Sequence, residues 1–269
     1  MSSFAALRMT GEVTDDRAES IKGKAHMSSI TLLGTGTCQI EHERRASSVL
    51  LELDGLPVLF DCGHGVAQRL LEAGVSHDKL NHIVLSHFHP DHVSDLIPLL
   101  QAGAWSRRDA RSTDLHIYGP SGVQRLVDGL MNLFGESSLA QPSYKVHVHE
   151  ITEAQFKIEA QSFDFINLPP AGNHGLRFEW CGKRYAITGD AYFRALEITF
   201  LRQVDLAVID SGHLEDEQIA LLAAKSQAKV IVCSHLYREI DAQLLQAQAK
   251  NWGYRGTILV GHDLMSFVI

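Results

Sequence analysis

A chain of 269 residues, 45% hydrophobic and 21% charged, has the composition of an ordinary globular protein and the length of one large domain or two small ones. Its net charge of −8 and its lack of any long lysine or arginine run argue against a large nucleic-acid footprint, because neutralising many phosphates needs a basic surface. No apolar run approaches the ~20 residues of a membrane-spanning helix, and the start lacks the basic-then-apolar layout of a secretory signal.

The four cysteines, Cys38, Cys62, Cys181 and Cys233, are scattered, with no CxxC pair. Reduced thiols in a cytoplasmic protein are the expectation. Residues 1–26 carry mixed charge without periodicity and read as an extension outside the core, with Met27 as the expected natural start and 27–269 as the domain.

Ser29–Leu33 reads as a strand, followed by a tight Gly34-Thr35-Gly36 loop. Ser48–Leu53 and Pro57–Asp61 read as a hairpin around Asp54-Gly55. Val66–Ala73 reads as a helix that Gly74 stops. Asp61 ends the apolar run Val58-Leu59-Phe60, where a carboxylate is costly unless paired. A useful partner there is the ring N–H of a metal-bound histidine; a strand-end cap is the plainer alternative.

His82-Ile83-Val84-Leu85 has the character of a buried strand. It leads into Ser86-His87-Phe88-His89-Pro90-Asp91-His92, and Val93 to Gln101 reads as a helix with Pro98 as a blemish. The ligand-rich stretch therefore sits on a strand-to-helix loop at the end of a rigid element. His87 and His89 are two apart, so in an extended segment their rings leave on the same side. Asp91 and His92 follow a proline-forced bend and face a second position. Imidazole with carboxylate suits zinc, iron or manganese better than calcium. The pattern predicts a two-metal site.

This HxHxDH stretch resembles the signature of the metallo-β-lactamase fold. The runs Ile30-Thr31-Leu32-Leu33-Gly34-Thr35-Gly36-Thr37, Arg45-Ala46-Ser47-Ser48 and Leu59-Phe60-Asp61-Cys62-Gly63-His64-Gly65 are similar to the opening of the branch that holds RNase Z, the tRNA 3′-end endonuclease, and related phosphodiesterases. The resemblance extends from about Ser29 to the C-terminus. It implies an α+β architecture, an αββα sandwich of two mixed β-sheets flanked by helices, with metals at one edge. The long Gly/Pro-rich arm with which RNase Z grips tRNA has no counterpart here.

Further along, Asp114–Tyr118 reads as a strand and Gly122–Phe134 as a helix, with Ser121 as a candidate cap and Gly135 as its stop. Gly135–Gln141 is expected to be a loop near the site mouth. Tyr144–Glu150 alternates, placing His147 and His149 on the polar face of a strand. Asn173-His174-Gly175 follows the breaker stretch Pro169-Pro170-Ala171-Gly172. Strands at Tyr185–Thr188, Leu206–Ile209 and Val230–Cys233 lead to Asp190, to Asp210-Ser211-Gly212-His213 and to Ser234-His235. A buried strand ending in a metal-competent residue thus recurs at Asp61, His87, Asp190, His213 and His235, and five such endings can converge on one sheet edge.

The resemblance implies His87, His89 and His174 on one metal, Asp91, His92 and His235 on the other, and Asp190 between them. It implies two divalent ions, zinc first with manganese or iron as alternatives, sharing a hydroxide that attacks a phosphodiester in line. Asp91 and His213 are the residues assigned to the chemistry, with His213 protonating the leaving oxygen. Arg238 is left between a phosphate contact and a surface role, and His262 is placed near the site but not as a ligand. The expected substrate is a small phosphodiester or an RNA end, and the expected partner a second copy of the chain in a homodimer. Alternatives are a lactonase or thioesterase-type hydrolase on the same metals, and a non-catalytic metal-binding scaffold.

Overall fold

The computed structural model describes residues 27–168 and 172–269, so the predicted extension over 1–26 and the Pro169-Pro170-Ala171 breaker lie outside the described residues. In chain order the first half contains β1 (Ser29–Gly34), β2 (Ser48–Leu53), β3 (Leu56–Phe60), α1 (Val66–Glu72), β4 (His82–Val84), α2 (Pro90–Val93), α3 (Leu96–Trp105), β5 (Leu115–Gly119), α4 (Val123–Phe134), α5 (Glu136–Leu139) and β6 (Val146–Glu150). The second half contains β7 (Gln155–Ile158), β8 (Gln161–Asn167), β9 (His174–Trp180), β10 (Lys183–Ile187), α6 (Ala195–Phe200), β11 (Leu206–Asp210), α7 (Asp216–Ser226), β12 (Val230–Ser234), α8 (Ala242–Asn251), β13 (Thr257–Val260) and β14 (Ser266–Val268).

The strands form two seven-stranded sheets, ordered β14-β1-β2-β3-β4-β5-β6 and β13-β12-β11-β10-β9-β8-β7. Each is mixed. In the first, β1 pairs antiparallel with β14 and β2, and β2 with β3, after which β3, β4, β5 and β6 run parallel. In the second, β7 to β10 alternate direction, and β10 to β13 run parallel. The αββα sandwich expected from the sequence is the architecture observed.

The alternation along each strand explains the layering. Leu206 and Val208 of β11 join Phe60, Val84, Phe163, Phe178 and Val232 between the sheets. Ala207 and Ile209 turn outward onto Leu222, Ala223 and Leu245 of α7 and α8. On the other side Ile83, Leu85 and Ile117 pack on Leu70, Leu99, Leu100 and Val127 of α1, α3 and α4. Central strands covered on both faces read as continuous apolar runs, which is why the sequence signalled them so clearly. Asp54 and Gly55 both have positive φ (50° and 82°), the geometry of a two-residue hairpin turn matched to strand twist.

Three local expectations are corrected. The single helix predicted over Val93–Gln101 is two, because the chain breaks at Ser94-Asp95, where the Asp95 carboxylate accepts from Ala67 N (2.8 Å) at the start of α1. Pro98 then falls in the first turn of α3, where a missing N–H costs little. The cap of α4 is Gly122, at φ 101°, rather than Ser121. The segment Gly135–Gln141 contains the turn of helix α5, packed on α3 and α4, where Trp105 Nε1 donates to Ser137 O (3.0 Å). No helix among the described residues is long and apolar enough to cross a membrane. All four cysteines are free thiols.

Candidate metal centre

The parallel strands β3 and β4 of one sheet and β10, β11 and β12 of the other point their carboxyl ends at a common edge. Asp61 follows β3, Ser86-His87 follows β4, Asp190 follows β10, Asp210 ends β11 and His235 follows β12. Register does the convergence: Ile187 lies beside Val208, and Asp210 beside Ser234. Asp61, His87, Asp91, His92, Asp190, Asp210 and His235 are all buried there. Asp61 and His235 hold left-handed backbone (φ 60° and 54°), as does Gly189 (φ 62°). Non-glycine residues in that region are uncommon and concentrate at functional sites.

Three overlapping groups of ligand atoms result, each with its members within 4.8 Å of one another: His87, His92 and Asp190; Asp91, His92 and His235; and Asp190, Asp210, His213 and His235. Asp190 belongs to two of the three groups, and its oxygens also come close to His89. Its Oδ1 lies 2.9 Å from His92 Nε2 and 3.3 Å from His235 Nε2, and its Oδ2 lies 3.4 Å from His87 Nε2 and 3.7 Å from His89 Nδ1. Asp91 Oδ2 lies 3.5 Å from His235 Nε2. His89 is largely exposed and touches the cluster through its ring, 4.4 Å from that of His87. His174 begins β9 on the inter-sheet face, its ring lying flat on Phe165 at 4.5 Å, with Nδ1 donating to Gly172 O (3.1 Å). Both stand at the rim, outside the three close groups.

A polar frame sets which nitrogens face inward. Asp61 accepts from Ser86 N (2.7 Å), Ser86 Oγ (2.8 Å) and His92 Nδ1 (2.7 Å). His87 Nδ1 in turn lies 2.9 Å from Ser86 Oγ. With Ser86 Oγ–H given to Asp61, its oxygen accepts the His87 Nδ1 proton. Asp61 thus fixes two imidazoles at once, leaving both Nε2 lone pairs free. Asn173 was not singled out from the sequence. Its Nδ2 donates to Thr188 O (3.2 Å) and to Asp190 O, clasping the chain on both sides of Gly189.

Asp210 was named only as part of the run leading to His213, yet it organises that corner. Its Oδ1 accepts from Gly212 N (2.8 Å) and His213 N (3.2 Å), and its Oδ2 from Ala191 N (2.8 Å) and His213 Nδ1 (2.7 Å). The signal was present, for Asp210 is itself the polar end of a buried strand. The His213 ring stacks on His235 at 5.3 Å and is flanked by Tyr192 and Tyr237. Arg238 is tied to Leu214 O (3.0 Å) and Asp216 (2.6 Å), and His262 is exposed.

The electrostatics follow from this crowding. Burial pushes Asp190 up, but the close approach of the His87 and His92 ring nitrogens and the His92 and His235 charges outweigh it and hold the carboxyl far below its usual range. Asp91 is brought down to about 2 in the same way, burial being outweighed chiefly by the His235 hydrogen bond. Burial alone would lower His235, but Asp210 and Asp91 raise it to about 9. Burial likewise opposes the rise of His92, which Asp61 and Asp190 impose. The Asp210 hydrogen bond raises His213, and burial lowers His174.

The residues fit a divalent cation. His87 Nε2, His92 Nε2, Asp190 Oδ1 and both ring nitrogens of His235 are buried and, although they approach one another and the neighbouring carboxylates closely, none is aligned for a well-formed hydrogen bond. Orphaned buried polar atoms are rare in folded proteins, and so many converging on two ionised carboxylates mark a place for cations.

Comparison with known proteins agrees. Residues 43–235 match the family described as the metallo-beta-lactamase superfamily. Ribonuclease Z of Mycobacterium marinum is 31% identical over 278 residues, covering 88% of this chain and 97% of that protein. Ribonuclease Z of Thermococcus onnurineus is 34% identical over 132 residues, 49% of this chain, so the match spans only 40% of that relative's length. The crystal structure of the metallo-beta-lactamase fold protein YhfI from Bacillus subtilis superposes with a TM-score of 0.74 at 19% identity, covering 90% of this chain and 99% of that one, a likeness of fold. The chain belongs to the metallo-beta-lactamase superfamily, among its RNase Z-like members.

Proposed function

We propose that the chain is a metal-dependent phosphodiesterase acting on a small phosphodiester or an RNA end. The observation that carries this reading is the Asp210–His213 pair stacked beside the candidate metal ligands. His87, His89 and His174 would hold one divalent ion, and Asp91, His92 and His235 the other, with Asp190 reaching both. Zinc is the ion we propose, on the imidazole–carboxylate donor set. Such ions, when bound, supply Lewis-acid stabilisation of phosphoryl oxygens and acidify water.

The chain's own residues do the rest. Asp61 orients His92 directly and His87 through Ser86, with both Nε2 atoms inward. Asp91 stays ionised and holds the Nε2 edge of His235. Asp210 accepts a hydrogen bond from the Nδ1–H of His213, which holds the imidazole in place and leaves Nε2–H to give its proton to the departing alkoxide oxygen. No protein nucleophile is required. The four free cysteines fit the cytoplasm.

The test is turnover of bis(p-nitrophenyl) phosphate beside a p-nitrophenyl ester and a lactone, using metal-loaded protein. Asp190→Ala abolishes diester hydrolysis and His213→Ala lowers kcat by about 10²–10⁴-fold. Cleavage of the ester or lactone alone would move the chain to a different hydrolase reaction on the same donors.

A further inference from the structure

Tyr192 is an aromatic ring at the centre that touches His213 and yet stays open to solvent. It lies two residues beyond Asp190, 39% exposed, with its ring 5.2 Å from that of His213 at a tilt of 39°. Tyr237, on the other side of His213, stands edge-on at 80°, is half-buried, and has its hydroxyl 3.5 Å from Cys38 Sγ. Of the two rings flanking His213, Tyr192 is the more exposed.

Its placement is built. The backbone N–H of Ala191 donates to Asp210 Oδ2 (2.8 Å), the same oxygen that holds His213 Nδ1 (2.7 Å). Ala191 itself is buried, so the step from Asp190 to Tyr192 is pinned at both the ligand and the carboxylate. The oxygen that holds the imidazole thus also anchors the backbone one residue before the tyrosine. An exposed aromatic ring on fixed backbone is a surface for another flat ring. A phosphate gains little from it. The chain has net charge −8, so a charged groove along a phosphate backbone is a poor source of affinity, whereas stacking is indifferent to that charge.

We infer that Tyr192 is the stacking platform for a nucleobase on the leaving-group side of the scissile bond, which makes the substrate a nucleoside phosphodiester. This rests on the reading of His213 as the group that protonates the leaving oxygen, since Tyr192 is placed by its neighbourhood to that ring. A base stacked there sits beside the proton donor, with its ribose oxygen toward the metal ligands. Tyr192 is in this account a substrate-recognition residue and takes no part in proton transfer.

The experiment is calorimetric binding of adenosine 5′-monophosphate, uridine 5′-monophosphate and ribose 5-phosphate to the zinc-loaded full chain. Wild type, Tyr192→Phe and Tyr192→Ala are compared, with bis(p-nitrophenyl) phosphate turnover followed in parallel. The expected result is a preference for both nucleotides over ribose 5-phosphate of about five- to 150-fold, the range for stacking one base on one aromatic side chain. Tyr192→Phe retains that preference. Tyr192→Ala brings the nucleotides to the level of ribose 5-phosphate, whose own affinity is unchanged and so reports an intact site. A wild type with no preference, or a Tyr192→Ala variant that keeps it, overturns the inference even if the diester is turned over. A Tyr192-dependent preference without turnover leaves the base site standing and removes the phosphodiesterase reading instead.

Discussion

Asp61→Asn isolates the role of one buried carboxylate. Asp61 accepts three hydrogen bonds on two oxygens, from Ser86 N, Ser86 Oγ and His92 Nδ1, all at 2.7 to 2.8 Å. Both oxygens are used as acceptors. Asparagine has a single acceptor oxygen, and its amide must therefore face a donor whichever way it turns. If the amide faces His92, the imidazole shifts its proton to Nε2, the nitrogen that looks at Asp190, and ceases to be a ligand. If it faces Ser86 N, a buried backbone donor is left without a partner. The backbone is not a confounder, because asparagine tolerates the left-handed conformation of Asp61 (φ 60°) as well as aspartate does. Loss of such an outer partner typically weakens metal affinity 10- to 100-fold, about 1.4–2.7 kcal/mol, and an unsatisfied buried donor costs about 1–3 kcal/mol of stability. The assay is competition of the protein with a zinc chelator, together with denaturant unfolding of the metal-free form. A variant that binds zinc as tightly as wild type would refute the argument, since it would show that His92 is held by something other than Asp61.

Three further outcomes are expected. Asp210→Asn lowers diester kcat about as far as His213→Ala, and the double variant is no worse than either, because the pair acts as a unit; additive losses in steady-state kinetics would separate them. Asn173→Ala frees the carbonyls of Thr188 and Asp190 that its side chain clasps, and it weakens zinc binding roughly tenfold with little change in secondary structure by circular dichroism; unchanged binding would show that Gly189 holds its turn unaided. The remaining outcome concerns acid stability at the opposite end of the first sheet. His82, His116 and His147 lie in register across β4, β5 and β6, with His149 bonded to His116 (3.0 Å), His147 to Asp114 (2.8 Å), and the charge of Glu159 also acting on His116. Burial, then the charges of His116 and His149, push His82 down to about 4. The unfolded chain therefore takes up this proton first, so stability is intact above about pH 6.5 and falls as the pH drops toward 4. After allowance for screening the loss at His82 is about 1–2 kcal/mol, and His82→Phe removes that share in urea titrations at pH 7 and pH 4.5. Equal pH dependence in variant and wild type would refute it.

How far the sequence reached differs from one residue to the next. The HxHxDH stretch was legible because its candidate ligands are close in the chain, and a buried strand before them fixed where they sit. Asp61 was legible because a carboxylate ending an apolar strand demands a partner. Asp210 and Asn173 were not, although both lie beside residues that were singled out. Asp210 was overshadowed by the histidine three residues on, and its Ala191 contact links segments 19 residues apart. Asn173 acts on backbone carbonyls, and no pattern in a sequence marks which carbonyl an amide will reach. The split of the predicted Val93–Gln101 helix has the same origin, since the Asp95–Ala67 bond spans 28 residues.

The sequence by itself determined the alternation of strands and helices, the buried character of the central strands, and most of the candidate donor residues. Those depend on period and residue type, which act over a few neighbours. Only the tertiary structure decided that parallel strands from two sheets end at one edge, that Asp61 governs two imidazoles, His92 directly and His87 through Ser86, and that His89 and His174 stand at the rim while Asp210 lies within. Those depend on register and on which side chains meet across the sandwich. Packing of the whole chain sets both.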